Sequence, residues 1–142
     1  MTARTRQCDA AVTSGRLRKA EQFLEAAETI REFADHEHDV ADAHVTLCVH
    51  AAIAAADVIC CVELGMHAVG ENHVEALTLL SKVRPDGPEL AKSLRVLLSM
   101  KTRVGYGAEP ASAEDRKRAQ RQTERLARAA RDRATGAERT SR

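Results

Sequence analysis

From about residue 40 to 66 the chain runs through Val45, Leu47, Cys48, Val49, Ile53, Val58, Ile59, Val62 and Leu64, with Ala51, Ala52, Ala54, Ala55 and Ala56 set among them. That is far too long for a strand, and a helix apolar almost all round has to be covered on more than one side. The rest of the composition says what covers it. Aromatic residues make up 2% of the chain and apolar residues 44%, so the core is built from Ala, Leu, Val and Ile on closely approaching helices. An all-α bundle is therefore expected rather than a β-sandwich. Asp42, His44, His50, Asp57 and Glu63 interrupt the run, and a bilayer span does not hold that many ionisable groups cheaply. The segment reads as the core helix of a cytoplasmic protein, with no membrane as partner.

A length of 142 residues suits one domain. Residues 1–12 are polar, unpatterned and expected to be flexible, residues 13–135 form an antiparallel up-down bundle of four to five helices, and residues 136–142 form a disordered tail. Thr13 or Ser14 caps a first helix to about Asp35, with Leu17, Ala20, Phe23, Leu24, Ala27, Ile30 and Ala34 on its buried face. Asn72-His73-Val74-Glu75 reads as the capping box of a short third helix. Pro88 opens a fourth through Leu90, Leu94, Leu97 and Leu98, and Ser112-Ala113-Glu114-Asp115 caps a last helix to about Ala134. No strand is expected. Cys8, Cys48, Cys60 and Cys61 make no C-x-x-C pair, and three lie in the apolar run, so all four read as reduced and structural. The second helix has more apolar circumference than one small bundle needs, which predicts a homodimer.

Net charge is uninformative at +1, with 22 basic residues against 21 acidic ones, but its distribution is not. Between Arg116 and Arg133 eight basic residues face only Glu124 and Asp132. Arg118, Arg121, Arg125 and Arg128 share one side of that helix, a pattern that suits phosphates of RNA. His36 and His38 sit in an acidic link without the fixed convergence a metal needs, so no metal and no cofactor is expected.

Two further placements suggest a site. On the second helix Asp42, Thr46, His50 and Asp57 fall within a strip about 80° wide, which would line a cleft. On the fourth, Leu90, Leu94, Leu97, Lys101 and Val104 share a face, so Lys101 stands where the pattern reserves a core residue. Tyr106, the one tyrosine, lies between Gly105 and Gly107, which are expected to end the helix in the left-handed conformation.

The segment Leu97-Leu98-Ser99-Met100-Lys101-Thr102-Arg103-Val104-Gly105-Tyr106-Gly107, the Ala-rich helix from Asp42 to Cys61 and the Arg- and Ala-rich last helix together resemble a HEPN domain over about residues 14 to 134. The resemblance implies an antiparallel helical bundle that dimerises. It also implies RNA or nucleotide as ligand, and the company of metal-independent ribonucleases from toxin–antitoxin and defence systems. Lys101 matches the Arg of the family's R-x4-6-H motif and Tyr106 the His or a nearby Tyr. Both depart from the motif, since Lys is a point charge where Arg grips phosphate in two places, and a phenol is a poor base near neutral pH. In the enzyme reading Lys101, Tyr106 and His50 are catalytic, Arg103 joins the phosphate-binding set and Asp42, Thr46 and Asp57 line the cleft. In the alternative the chain is a catalytically degenerate module for protein interaction or regulation. Some members are paired with a nucleotidyltransferase-like antitoxin that modifies a tyrosine, for which Tyr106 is the acceptor here.

Overall fold

The computed structural model describes residues 4–70 and 73–140. Among these the chain is mostly helical, with five helices and a small two-stranded sheet. In chain order come β1 (Thr5–Gln7), α1 (Ala10–Phe33), a 3-10 turn over Glu37–Val40, α2 (Ala41–Leu64), β2 (Met66–Ala68), α3 (His73–Ser81), α4 (Gly87–Tyr106) and α5 (Ala113–Thr140).

Helix boundaries follow local chemistry, and several differ from the sequence expectation. α1 starts before Thr13 because the Asp9 carboxylate accepts from the backbone N–H of Val12 at 2.8 Å, and the Thr13 hydroxyl donates to the Asp9 carbonyl. α2 ends at Gly65, whose φ of 74° is the left-handed cap that turns the chain back into β2. At the end of α4 the expected left-handed glycine is absent: Gly107 is extended at φ −81° and ψ 162°. The chain leaves α4 straight, and the backbone N–H of Ala111 is then caught by the Asp42 carboxylate at 2.7 Å. The capping box of α5 forms reciprocally, with Asp115 N–H donating to Ser112 Oγ and Ser112 N–H to Asp115 Oδ2, each at 3.0 Å. Asn72 of the other expected box lies outside the described residues.

Among the described residues, regular structure starts earlier and ends later than expected. β1 pairs antiparallel with β2, Thr5 opposite Ala68 and Gln7 opposite Met66, and Cys8 is joined to Cys61 by a disulfide. The first dozen residues are therefore tied down from Thr5 onward, and two of the four cysteines are not reduced. Strands of three residues are too short to show alternation in a sequence, and cysteine partners are not deducible from spacing. A reducing cytoplasm opens such bridges, so this one pulls against the location expected above. At the other end α5 continues past Ala134 to Thr140. Ala134 and Ala137 face Leu17 and Val62 across a small apolar recess, a contact that favours the helix beyond Ala134.

α2 is the core, covered by α1, α5 and α4. The contacts fix the direction of each neighbour. Against α1, Ala27 meets His44, Phe23 meets His50 and Arg16 meets Asp57, so the two run in opposite senses. Against α5, Thr123 donates to the Cys48 carbonyl and Arg133 lies 3.6 Å from Glu63, so these two run in the same sense. α4 and α5 are opposed, through Arg103 with Asp115 and Asp86 with Arg133. Ala20, Ala27, Ala51, Ala52, Ala55, Ala119 and Ala130 are fully sealed at these contacts, as the alanine content requires for close approach. By length and composition α2 is apolar enough to cross a membrane, and in this fold most of it is buried among the other helices. Fifteen of its 24 residues are buried within a single chain. Much of the apolar circumference that predicted a homodimer is thus covered within one chain, while Asp42, Ala43, Thr46, His50 and Glu63 of α2 remain exposed.

The disulfide closes a loop across a separation of 53 residues. Loop closure of that size restricts the unfolded chain by an amount equivalent to about 4 kcal/mol. Cys8→Ser, or a thiol reductant, should therefore lower the unfolding free energy by an amount of that order, seen as a fall in the urea midpoint, while leaving helical circular dichroism intact. Cys48 and Cys60 should resist alkylation in the native protein, since burial pushes both thiols up to about 12. An unchanged midpoint on reduction would show that the bridge does not constrain the unfolded chain.

Candidate functional site

A carboxylate in a wall of Ala, Val and Ile requires a partner, and Asp57 on α2 is only 8% exposed. Arg16 on α1 provides one, with Nε and Nη2 at 2.9 and 2.8 Å from Oδ2. Arg16 shares the face of α1 that carries Ala20 and Ala27 against α2, so the helix register itself aims it at Asp57. On the other carboxylate oxygen, His67 Nδ1 stands 3.9 Å from Oδ1 and donates to the Ala68 carbonyl at 2.8 Å. His67 belongs to β2, and directly opposite it on β1 is Arg6. Opposed residues of an antiparallel pair leave the same face, so both side chains share the side of the sheet that borders Asp57.

These residues line a cavity of about 380 Å³, which His73 at the start of α3 helps to close. Lys101 on α4 touches one of these lining residues: its Nζ lies 3.1 Å from His73 Nε2. An ammonium can only donate, so Nε2 accepts and carries no proton. The core register of Lys101 is thus explained by a half-buried side chain that crosses from α4 to α3. Two lasting cations, Arg6 and Arg16, and two imidazoles line the cavity with one carboxylate that is already engaged by Arg16, and Lys101 stands behind His73. The chemical complement of that set is an anion. Burial pushes the Asp57 carboxyl above the usual range, with the charges of Arg16 and then His67 opposing the rise.

The residues expected to form one site are distributed over several. His50 is exposed and packs on the Phe23 ring at 5.6 Å between centroids, and no hydrogen bond joins it to Lys101 or Tyr106 among the described residues. Tyr106 is 85% exposed at the end of α4. Asp42 anchors the loop before α5, and the Thr46 hydroxyl donates to the Asp42 carbonyl, so the strip on α2 divides between a loop contact, a ring contact and the cavity. Arg103 is held by both carboxylate oxygens of Asp115 at 2.9 and 2.8 Å, and those hydrogen bonds keep the Asp115 carboxyl well below the usual range. Arg121, Arg125 and Arg128 line a groove of about 580 Å³ opposite Asp86, Glu89, Glu124 and Asp132, while Arg118 is exposed. Among the described residues no three His, Cys, Asp or Glu side chains converge as a metal site. The side chain of His38 lies outside that description.

Arg6, Arg16, His67 and His73 escaped the sequence reading. Arg16 carried a signal of the same kind as Lys101, a cation in core register. His73 was absorbed into a capping box, and Arg6 and His67 lie on strands too short to be foreseen. No family model, curated protein or solved structure matches the chain.

The raised carboxyl sets the sign of one pH effect. Between the ordinary carboxylate range and its higher value in the fold, Asp57 keeps a proton that the unfolded chain releases. This contribution therefore favours folding below the window and is lost as pH rises through it. Asp57→Asn should remove that component, so the difference in Tm between variant and wild type should change as pH rises above the ordinary carboxylate range. A constant difference across the series would show that Asp57 does not titrate in this way.

Proposed function

We propose that the chain is a HEPN-like up-down bundle that binds RNA or nucleotide phosphates at the cavity lined by Arg6, Arg16, His67 and His73. The observation that carries this reading is the contact of Lys101 with His73 at that cavity. It brings the lysine of the HEPN-like segment to a cationic pocket that the segment alone does not define. The alternating directions of α1, α2, α4 and α5 support the bundle reading.

The same contact favours cleavage over simple binding as the fuller function. A phosphate that draws the Lys101 ammonium away leaves the Nε2 lone pair of His73 facing the ligand. His73 then takes the proton of an RNA 2′-hydroxyl, the 2′-oxygen bonds to phosphorus, and the 5′-oxygen leaves with a proton from a donor. Lys101 and Arg16 stabilise the charge on the phosphorane, without metal or cofactor. His73 thus replaces His50 as base. Tyr106, exposed at the helix end, is the proton donor or the tyrosine that a nucleotidyltransferase-like antitoxin modifies. Val74 and Tyr106, 76% and 85% exposed, are the apolar residues nearest in sequence to His73 and Lys101 that a second copy would cover. The catalytically degenerate interaction module is the reading that remains if cleavage is absent.

Filter binding and cleavage of a single-stranded RNA oligonucleotide separate these readings. Lys101→Ala should weaken binding about tenfold or more with helicity unchanged, as expected for loss of a charge-assisted contact. His73→Gln should retain binding and abolish cleavage, and Tyr106→Phe should slow cleavage only if the hydroxyl donates. Unaltered affinity in Lys101→Ala would overturn the binding reading. Wild-type binding without cleavage would leave the degenerate module.

A further inference from the structure

A second cationic recess lies at the opposite end of the α1–α2 pair, where the C-terminal part of α1, the 3-10 turn, the start of α2 and the first turns of α5 meet. Its volume is about 360 Å³, within the range of small-ligand sites, and Arg31, Arg116, Lys117 and Arg121 line it. The one carboxylate in its wall, Glu37, is engaged by Arg116 at 3.2 Å. The nearby acids Glu28 and Glu124 are drawn to the amide of Gln120, at 3.2 and 2.7 Å. Four cations thus converge on a concave surface with one carboxylate among its walls.

Convergence of like charge is unfavourable unless something answers it. Here the cost is raised by desolvation: the Nε of Arg31 and the Nε of Arg116 are both buried and lack a hydrogen-bond partner among the described residues. A buried guanidinium nitrogen without an acceptor is a rare and costly arrangement, typical of a site whose ligand completes it. The rest of the floor is fixed. His44 is fully buried, with Nδ1 on the Ala27 carbonyl at 2.9 Å and Nε2 on the Cys48 sulfur at 3.6 Å, so the recess has a rigid back wall. The Cys48 thiol is not a nucleophile there, since burial pushes it up to about 12.

We propose that this recess binds the phosphate head group of a small molecule, with a pyrophosphate-type polyanion as the best match. A single carboxylate offers one charge and two acceptors to four cations, whereas a pyrophosphate offers several charges and oxygens arrayed for forked guanidinium donors. No Phe, Tyr or Trp side chain lines the recess, and its one ring, His44, is fully buried with both nitrogens engaged, so the recess recognises the anionic group itself. The inference is independent of the RNA reading, because it concerns different residues at the other end of the seam.

Calorimetric titration with pyrophosphate at fixed ionic strength tests it, using the full chain carrying Lys101→Ala so that the first cavity is disarmed. One equivalent should bind saturably at or below about 1 mM. Lys117→Gln or Arg31→Gln added to that chain should weaken binding about tenfold each, the loss expected for one charge-assisted contact. Lys117 is exposed on α5, so its replacement leaves the fold intact even if Arg31→Gln does not. Absence of saturable binding, or binding untouched by Lys117→Gln in a chain with native helicity, would overturn the proposal. So would a titration seen only when Lys101 is restored, which would put the anion in the other cavity.

Discussion

Everything in this structure depends on keeping α2 dry on three sides. Its neighbours approach through alanines, which contribute little burial each but let backbones come close enough for dense packing. The same closeness shuts water away from His44 and Asp57, and the polar side chains of α2 are met by different parts of the fold. His44 takes the Ala27 carbonyl of α1, Asp57 takes Arg16 of α1, Asp42 takes the loop before α5, and Glu63 lies near Arg133 of α5. The ionisable residues that interrupt the apolar run are the points at which the surrounding elements are indexed to it.

This arrangement also explains where the concavities lie. Along the middle of the α1–α2 seam, Ala20, Ala27, Ala51, Ala52 and Ala55 close the gap completely. Toward the ends the small residues give way to Arg16 and Asp57 at one side and Arg31 and His44 at the other. Side chains of that size hold neighbouring segments apart, and both cavities open there. The thirteen helical steps from His44 to Asp57 separate them by about 20 Å along the helix. Two cationic recesses therefore arise from one packing rule, tight where the chain is alanine and open where it is charged.

Much of the helical order was legible in advance, because heptad-like spacing and capping residues act over one or two turns. Leu90, Leu94, Leu97 and Val104 are buried as their spacing required, and Lys101 in that row did signal a special contact. What the row did not say is which neighbour Lys101 would meet, since register fixes a direction and not a partner. The strip of Asp42, Thr46, His50 and Asp57 shows the same limit. Four residues within one sector of a helical wheel face three different surroundings, because the strip spans some 20 Å of axis and crosses from one neighbour to another. Order at the N-terminus was not legible, for it rests on a pairing of distant short segments and a cysteine bond. Neither leaves a periodic trace.

The position of that bond has a topological consequence. Cys8 precedes α1 and Cys61 lies near the end of α2, so the link from residue 34 to 40 sits inside a covalent ring. A protease cutting that link opens the ring without releasing either piece, and the nicked protein stays one molecule until it meets a thiol. A cut between Tyr106 and Ala113 falls outside the ring and leaves α5 attached by noncovalent contacts alone. One backbone scission is thus covalently silent at one connection and severs the chain at the other.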